Sequence, residues 1–355
     1  MRQTYNHAGV SIYHGKCEDV LRDLPDASVD AIVTDPPSGI GFMGIEWDKH
    51  KGGRDKWIAW LCGIMTDCRR ILKPGGYGWV WALPRTSHWT ATACEDAGFE
   101  IRDIVTHVFG QGMPKSKALL KPAVEHWILI KSPGKLHDLR IEACRIGTSK
   151  SVPVIGKMQV LNGKYGSYNL INKNNPDKGG NNANLGRWPA NFALSHLEDC
   201  AETCAEGCPV AELDRQSLCA GIHSAGQARD SGIGKAAESY NASSYQMGPS
   251  RNMRRLGDDG GASKFFYVAK PSKSEKSRLV AEGNDHPTVK PIRLMRHLVE
   301  LITEQGDVIL DPFLGSGTTA LAAKELHRKL IGVEQNADYC ALAEKRLVQD
   351  LLPLG

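Results

Sequence analysis

Residues 307–339 read DVILDPFLGSGTTALAAKELHRKLIGVEQNADY, and this stretch decides the fold class. An apolar run leads into a glycine-rich turn, a helical pattern follows, and KLIGVE forms a second short apolar run. Short apolar runs bounded by turn residues are typical of buried strands, so the stretch predicts a strand, a helix and a strand. Strands joined by a crossover helix run parallel, which places this unit in an α/β sheet.

The same alternation of strand and helix signals extends to both sides of this unit. A helix is predicted over DKWIAWLCGIMTDCRRIL (55–72), another over PIRLMRHLVELI (291–302), and a closing helix begins near Ala337. Strands are predicted over GVSIYH (9–14), VDAIVT (29–34), YGWVWAL (77–83), FEIRDIVTHVF (99–109), EHWILIK (125–131) and KFFYVAK (264–270). We therefore predict a mostly parallel twisted sheet with helices on both faces.

Residues 133–263 interrupt this pattern. Two stretches within them, 162–188 and 224–252, are rich in Gly, Asn and Ser and lack aliphatic periodicity. We interpret 133–263 as an irregular insertion that carries specificity. It divides the regular part of the chain into residues 1–132 and 264–355.

Composition and charge exclude some classes of protein. Of the 355 residues, 41% are hydrophobic and 24% are charged, as in an ordinary globular protein. No apolar segment reaches membrane-spanning length, and the N-terminus lacks a signal-peptide pattern, so a cytoplasmic location without a membrane partner is expected.

The net charge of +4 permits a polyanionic partner. Basic residues cluster at Lys115, Lys117 and Lys121, at Arg251, Arg254 and Arg255, and at Lys264, Lys270, Lys273, Lys276 and Arg278.

A second decisive motif, TDPPSGIGF (34–42), follows the predicted strand VDAIVT. Two prolines end sheet pairing and hold the preceding backbone extended, which places Asp35 at the carboxyl end of a strand. Ligands of open α/β sheets bind at that edge, so the motif predicts a reactive carboxylate on a stiff support. An ordinary Asp-Pro turn is the alternative.

The glycine-rich turn of residues 311–319, DPFLGSGTT, predicts a ligand site at the same edge. Gly315 and Gly317 allow close approach of a ligand to the backbone, and a helix that starts near Thr318 presents free amide hydrogens. Glu334 follows the next strand, where an acid binds ribose hydroxyls in nucleotide folds. Because the third glycine of the dinucleotide signature is absent, a nucleoside without phosphates, such as S-adenosylmethionine, is favoured over a nicotinamide dinucleotide. A simple tight junction without a ligand is the alternative.

TDPPSGIGF, HPTVKP (286–291) and DPFLGSGTT, in this order, resemble the amino-DNA methyltransferases of the β arrangement, which act on N6 of adenine or N4 of cytosine. The resemblance covers roughly residues 10–131 and 264–348. It implies a Rossmann-like methyltransferase fold, S-adenosylmethionine as cofactor, and double-stranded DNA as substrate with its target base flipped out. It makes residues 133–263 a target-recognition region, and it allows a homodimer and a cognate restriction endonuclease as partners.

The resemblance also implies roles for individual residues. Asp35 and the carbonyl of Pro36 accept the two hydrogens of an exocyclic amino group, Pro37 aims that carbonyl, and Ser38 completes the motif. Thr288 and Lys290 lie near the methionine end of the cofactor. The implied cofactor pocket consists of Cys17, Asp311, Pro312, Phe313, Gly315, Gly317, Thr318 and Glu334.

Two positions depart from the family pattern. Ser38 stands where an aromatic residue is usual, so we expect Phe42 or Trp47 to stack on the flipped base. Lys16 stands where relatives commonly have an acid that contacts the cofactor's adenine. Either main-chain atoms around Cys17 or the carboxylates of Glu18 or Asp19 take that role. The aspartate at the head of the motif favours N6 of adenine as the target, with N4 of cytosine as the alternative.

The segment HLEDCAETCAEGCPV spaces His196, Cys200, Cys204 and Cys208 four residues apart. Four soft ligands suit structural zinc. However, a continuous helix would spread the outer ligands too far for one ion, so zinc requires a break in the helix, for example at Gly207. Reduced, partly buried thiols are the alternative.

Three other functions compete with an active DNA methyltransferase. One is a DNA-binding homologue that has lost activity, and another is a methyltransferase of RNA or protein. The third is a nicotinamide-dependent oxidoreductase, against which the missing fingerprint glycine argues.

Overall fold

The computed structural model describes residues 2–41, 48, 51–109, 112, 117, 119–146, 187–197, 200, 203–220, 262–269 and 289–349. Within these residues one sheet contains the strands β1 (Arg2–His7), β2 (Val10–His14), β3 (Val29–Thr34), β4 (Leu72–Ala82), β5 (Glu100–Val108), β6 (Val124–Lys131), β7 (Phe192–Ser195), β8 (Tyr267–Ala269), β9 (Val308–Asp311) and β10 (Lys329–Glu334). The described α-helices are α1 (Cys17–Asp23), α2 (Arg54–Ile71), α3 (Ser87–Asp96), α4 (Pro209–Ala220), α5 (Ile292–Ile302), α6 (Thr318–Glu325) and α7 (Ala337–Gln349).

The strands follow the order β1-β2-β10-β9-β3-β4-β6-β5-β7-β8 across the sheet. Six of the nine pairings are parallel, and the antiparallel ones join β1 to β2, β4 to β6 and β5 to β6. β9, α6 and β10 form the parallel strand–helix–strand unit that the sequence of 307–339 predicts. The predicted α/β fold with a mostly parallel sheet is confirmed.

The sheet is covered by helices on both faces, because its central strands bury side chains in both directions. In β4, Trp79 lies in the core beneath α5, α6 and α7, whereas the neighbouring Val80 lies in the core beneath α1, α2 and α3. In β3, Val33 faces the same core as Trp79, and Ile32 faces the same core as Val80. Strands buried on both faces read as continuous apolar runs, which is why β3 was evident in the sequence.

Several elements were not predicted. β1 adds an antiparallel edge to the sheet, and α1 and α3 cover one face. Within 133–263, β7 pairs with β5 and continues the sheet to β8, and α4 follows soon after. The predicted strand 264–270 is reduced to β8, because residues Ala262–Phe265 form a 3-10 turn. No described helix combines the length and apolar composition that a bilayer crossing requires.

Candidate functional site

Three carboxylates lie at the carboxyl ends of three adjacent parallel strands. Asp35 directly follows β3, Asp311 ends β9, and Glu334 ends β10. These strands are neighbours in the order β10-β9-β3, so their ends meet at one edge of the sheet. All three acids line one cavity of about 1540 Å³. Both predicted motifs therefore open into the same cavity.

Asp35 is paired with a cation that the sequence separates from it by 255 positions. Lys290 Nζ donates to Asp35 Oδ2 at 2.6 Å, and the Lys290 side chain is only 10% exposed. Glu125 Oε2 lies 4.0 Å from the same ammonium. Burial raises the pKa of Asp35 although Lys290 opposes that rise. The pKa of Lys290 is also raised, since burial would lower it but Asp35 and Glu125 outweigh burial. Lys290 thus stays charged between two acids.

A chain of buried polar side chains extends from this ion pair to the inserted region. His107 Nδ1 lies 2.8 Å from Glu125 Oε1, and His107 Nε2 lies 2.7 Å from Ser195 Oγ, at the end of β7. The indole of Trp81 donates to Glu125 Oε2 at 2.7 Å, and Lys290 Nζ lies 4.2 Å from the Trp81 ring centroid. Against burial, Lys290 and His107 lower the pKa of Glu125 to about 2. His107 and Glu125 lie in strands that carry other charged and polar residues, so no sequence signal distinguishes them.

Ser38, at the position where the family usually has an aromatic residue, is bonded to a buried acid. Its hydroxyl contacts both carboxylate oxygens of Asp48, at 2.8 and 2.9 Å, and Asp48 is only 1% exposed. The amide of Gly39 donates to the same carboxylate at 3.1 Å. Ser38 therefore ties the proline motif to residue 48, while Pro36 and Pro37 line the cavity. The stacking candidates Phe42 and Trp47 lie outside the described residues.

The glycine-rich turn is held by Glu334. Glu334 Oε2 accepts from the amide of Gly315 at 2.9 Å, and Oε1 accepts from the amide of Asn336 at 2.7 Å. Burial raises the pKa of Glu334, although these amides oppose the rise. Asp311 accepts from the hydroxyl of Thr34 at 2.9 Å, and burial raises its pKa to about 7. Both acids line the cavity.

An aromatic pair forms the wall beside these acids. Trp60 and Phe313 lie 5.8 Å apart between ring centroids, and the Trp60 indole donates to Glu18 Oε1 at 3.2 Å. Cys17, whose thiol donates to Glu18 Oε2 at 3.3 Å, also lines the cavity. Of the two acids that could replace the one expected at Lys16, Glu18 reaches the cavity wall, and Asp19 is not among its lining residues. Trp60 was missed because it reads as a core position of α2.

The remaining predicted residues divide into two groups. Pro312, Phe313, Gly315 and Thr318 line the cavity. Gly317 is not among the lining residues of this cavity, and it shapes the turn behind it. Its φ of +81° turns the chain into α6, and a Cβ there would lie 2.7 Å from the Cβ of Ala343 in α7. Thr288 lies outside the described residues.

The predicted metal ligands come together. One potential ligand atom from each of His196, Cys200, Cys204 and Cys208 lies within 4.8 Å of the others. The requirement for a broken helix is met, because Cys208 directly precedes α4 and Gly207 adopts a φ of +75°.

One family model and several known proteins are similar to this chain. The N6/N4 family model, described as DNA methylase, matches residues 29–345. The type II methyltransferase M2.DpnII of Streptococcus pneumoniae is 48% identical over 62 residues, which are 18% of this chain and 23% of that protein. The type II methyltransferase M.HindIII of Haemophilus influenzae is 47% identical over 73 residues, 20% of this chain and 24% of that protein. The matches thus span about a quarter of these relatives.

A solved structure shares the fold over most of the chain. The PvuII DNA methyltransferase, which is cytosine-N4-specific, superimposes with a TM-score of 0.53 at 14% identity. The alignment covers 97% of this chain and 90% of that one. At this identity the likeness extends to the fold, which is the Rossmann-like fold of DNA methyltransferases.

Proposed function

This chain belongs to the N6/N4 DNA methylase family, and from that premise we propose that it transfers a methyl group from S-adenosylmethionine to an exocyclic amino group of a DNA base. One observation carries the proposal: the Asp35-Pro36-Pro37 motif and the glycine-rich turn with Glu334 line the same cavity. A transferase must hold acceptor and donor within reach of each other, and much of its rate enhancement comes from that positioning.

The acceptor side has the groups that an amino nucleophile requires. An exocyclic amine is a poor nucleophile because its lone pair is delocalised into the ring. Acceptors for both of its hydrogens favour a pyramidal nitrogen with a localised lone pair. Lys290 occupies Oδ2 of Asp35, so Oδ1 is assigned to one hydrogen and the carbonyl of Pro36 to the other. The partly buried carboxylate also stabilises the positive charge that develops on the nitrogen.

The donor side fits a cationic nucleoside without phosphates. Glu18, Asp311 and Glu334 line it, and their carboxyl groups would repel a pyrophosphate but attract a sulfonium. We assign Glu334 to the ribose hydroxyls and the wall of Trp60 and Phe313 to the adenine. When bound, S-adenosylmethionine supplies the electrophilic methyl group. Thr288, in HPTVKP, stays a prediction for its methionine end, whereas Lys290 is better assigned to Asp35.

A base within a duplex cannot reach this cavity, so the proposal includes base flipping. Cationic side chains at the cavity, Lys16, Lys51, Arg85 and Lys121, suit the phosphates of a DNA backbone. Leu120, between β5 and β6, is 95% exposed and also lines the cavity. Apolar side chains enter the base stack in proteins that distort DNA. We assign Leu120 to the space that the flipped base leaves.

We propose N6 of adenine as the target atom. The support is the aspartate at position 35, which is more typical of the N6 enzymes that the chain resembles, with N4 of cytosine as the alternative. A homologue without activity is a weaker candidate, because the ion pair at Asp35 and the contacts of Glu334 are both formed. Residues 133–263 as a target-recognition region, a homodimer and a partner restriction endonuclease stay predictions of the resemblance.

The experiment is to sequence, with detection of modified bases, DNA from cells that express the protein. We expect N6-methyladenine within one short recognition sequence, and none in cells that express Asp35→Ala. Methylcytosine at N4 would select the alternative target. Transfer of a radiolabelled methyl group to RNA or protein, but not to DNA, would refute the proposal.

A further inference from the structure

Four potential metal ligands lie close together between the end of β7 and the start of α4. His196 directly follows β7, and its backbone amide donates to the carbonyl of Ala269 in β8 at 3.1 Å. Cys200 is joined to Leu197 by a backbone hydrogen bond, and Cys208 to Ala205. We call His196, Cys200, Cys204 and Cys208 the Cys3His cluster.

Two nitrogen–sulfur distances within the Cys3His cluster match tetrahedral coordination. With Zn–S bonds of about 2.3 Å and Zn–N bonds of about 2.0 Å, a sulfur and a nitrogen ligand lie roughly 3.5 Å apart. His196 Nδ1 lies 3.4 Å from Cys204 Sγ and 3.4 Å from Cys208 Sγ. All four ligand atoms lie within 4.8 Å of one another, and the described cysteines are free thiols. The cluster is therefore preorganised for one ion.

The surroundings of the cluster support thiolate ligands. The amide of Ala205 donates to Cys200 Sγ at 3.3 Å. Cys200 and Cys208 are 6% and 1% exposed, so water does not compete for them. Among the described residues, they form the buried centre of a small core beside α4 together with Leu194 and Val210, and eight partly buried hydrophobic residues pack around these four. A core of this size gives a lobe little stability of its own, and small lobes commonly depend on a structural metal.

We propose that the Cys3His cluster binds one structural Zn²⁺ ion, which fixes the end of β7 beside the cavity. Four protein ligands leave no open coordination position, so the ion is not catalytic. Ser195 precedes the ligand His196 and contacts His107, which in turn contacts Glu125. The ion thus fixes the side of the cavity where the acceptor amine binds, through Ser195 and His107. The side assigned to the methyl donor is formed by β9 and β10, which are not neighbours of β7 in the sheet.

The first test is the metal content of the full chain, with Cys204→Ser as the variant and Cys62→Ser as the matched control. Cys62 is a partly exposed cysteine of α2, outside the Cys3His cluster. We expect one zinc per chain in the wild type and the control, and less than a tenth of that in Cys204→Ser. Cobalt substitution of the wild type should give the visible bands of a tetrahedral thiolate site, whether or not the variant folds.

The second test separates the role of the ion from its presence. After removal of zinc by a chelator, we expect DNA affinity to fall at least tenfold while S-adenosylmethionine affinity changes less than twofold. Equal losses of both affinities would overturn the assigned role. A folded wild type without zinc or cobalt bands, or with a disulfide inside the cluster, would overturn the site. Metal content does not depend on methyl transfer, so failure of the proposed function remains distinguishable.

Discussion

Replacement of Asp35 by asparagine tests the central ion pair and the proposed chemistry together. Asparagine keeps the shape of the side chain but removes its charge. One carboxylate oxygen becomes an NH₂ group. Lys290 will retain the remaining carbonyl oxygen, because it donates to Asp35 at 2.6 Å in the native protein. The NH₂ group then faces the substrate amine, donor against donor, where the native chain offers an acceptor.

The size of the effect follows from the surroundings of Lys290. Loss of one partner of a buried ion pair costs about 3–5 kcal/mol. Here the cost should be smaller, because Asp35 is 27% exposed and Glu125 remains 4.0 Å from the ammonium as a second partner. We expect Asp35→Asn to lower the free energy of unfolding by roughly 2 kcal/mol. Loss of a preorganised group at the reacting atom reduces kcat by about 10²–10³-fold. The Kd for S-adenosylmethionine should change less than threefold, since the donor side is untouched.

The assay combines single-turnover methylation of duplex DNA, titration of the cofactor, and urea unfolding of a double-mutant cycle. Lys290→Met is the second variant, and the doubly substituted protein should recover at least half of the stability that Asp35→Asn loses. Methyl transfer within threefold of the wild-type rate would refute the role of Asp35. Additive stability losses would refute the coupling of Asp35 to Lys290.

Three further substitutions test the rest of the site and the core. Gly317→Ala should weaken S-adenosylmethionine binding at least tenfold, because the φ of Gly317 is +81° and the added methyl group would overlap α7. Gly63→Ala is the neutral control, since a Cβ at this position of α2 meets open space. Equal S-adenosylmethionine affinities of the Gly317→Ala variant and the wild type would contradict the prediction. Burial lowers the pKa of His297 from 6.5 to about 4, so protonation favours the unfolded chain as the pH falls below 6.5. The free energy of unfolding of the wild type should therefore be about 2 kcal/mol lower at pH 5 than at pH 8 because of His297, and His297→Phe should remove this part of the difference. Urea unfolding at both pH values measures it. An unchanged difference in the variant would exclude His297 as its source. Ser38→Ala leaves the buried carboxylate of Asp48 without its hydroxyl partner and should lower the free energy of unfolding by roughly 1–3 kcal/mol, whereas wild-type stability would mean that this contact is dispensable.

Prediction from the sequence was most accurate for helices and strands whose apolar residues follow a clear periodicity. β3 and β10 have the predicted bounds, and the helix 55–72 is observed as α2, one residue displaced. Prediction was less accurate for short strands and for strands at the edge of the sheet. β7 has four residues and β1 lies at an edge, so neither carries enough apolar periodicity to identify it. Their existence depends on pairing with neighbouring strands.

Local sequence is sufficient to identify the acids at the ends of the three strands β3, β9 and β10. Asp35 and Asp311 are fixed at strand ends by the prolines that follow them, because turn chemistry is a local property of the backbone. Glu334 is the last residue of the short apolar run KLIGVE. The partners of these acids depend on the three-dimensional fold. Lys290 reaches Asp35, and Ser195 reaches His107, across 255 and 88 positions of the chain. Such contacts depend on the strand order of the sheet, which the pairing of distant segments selects and no single segment encodes.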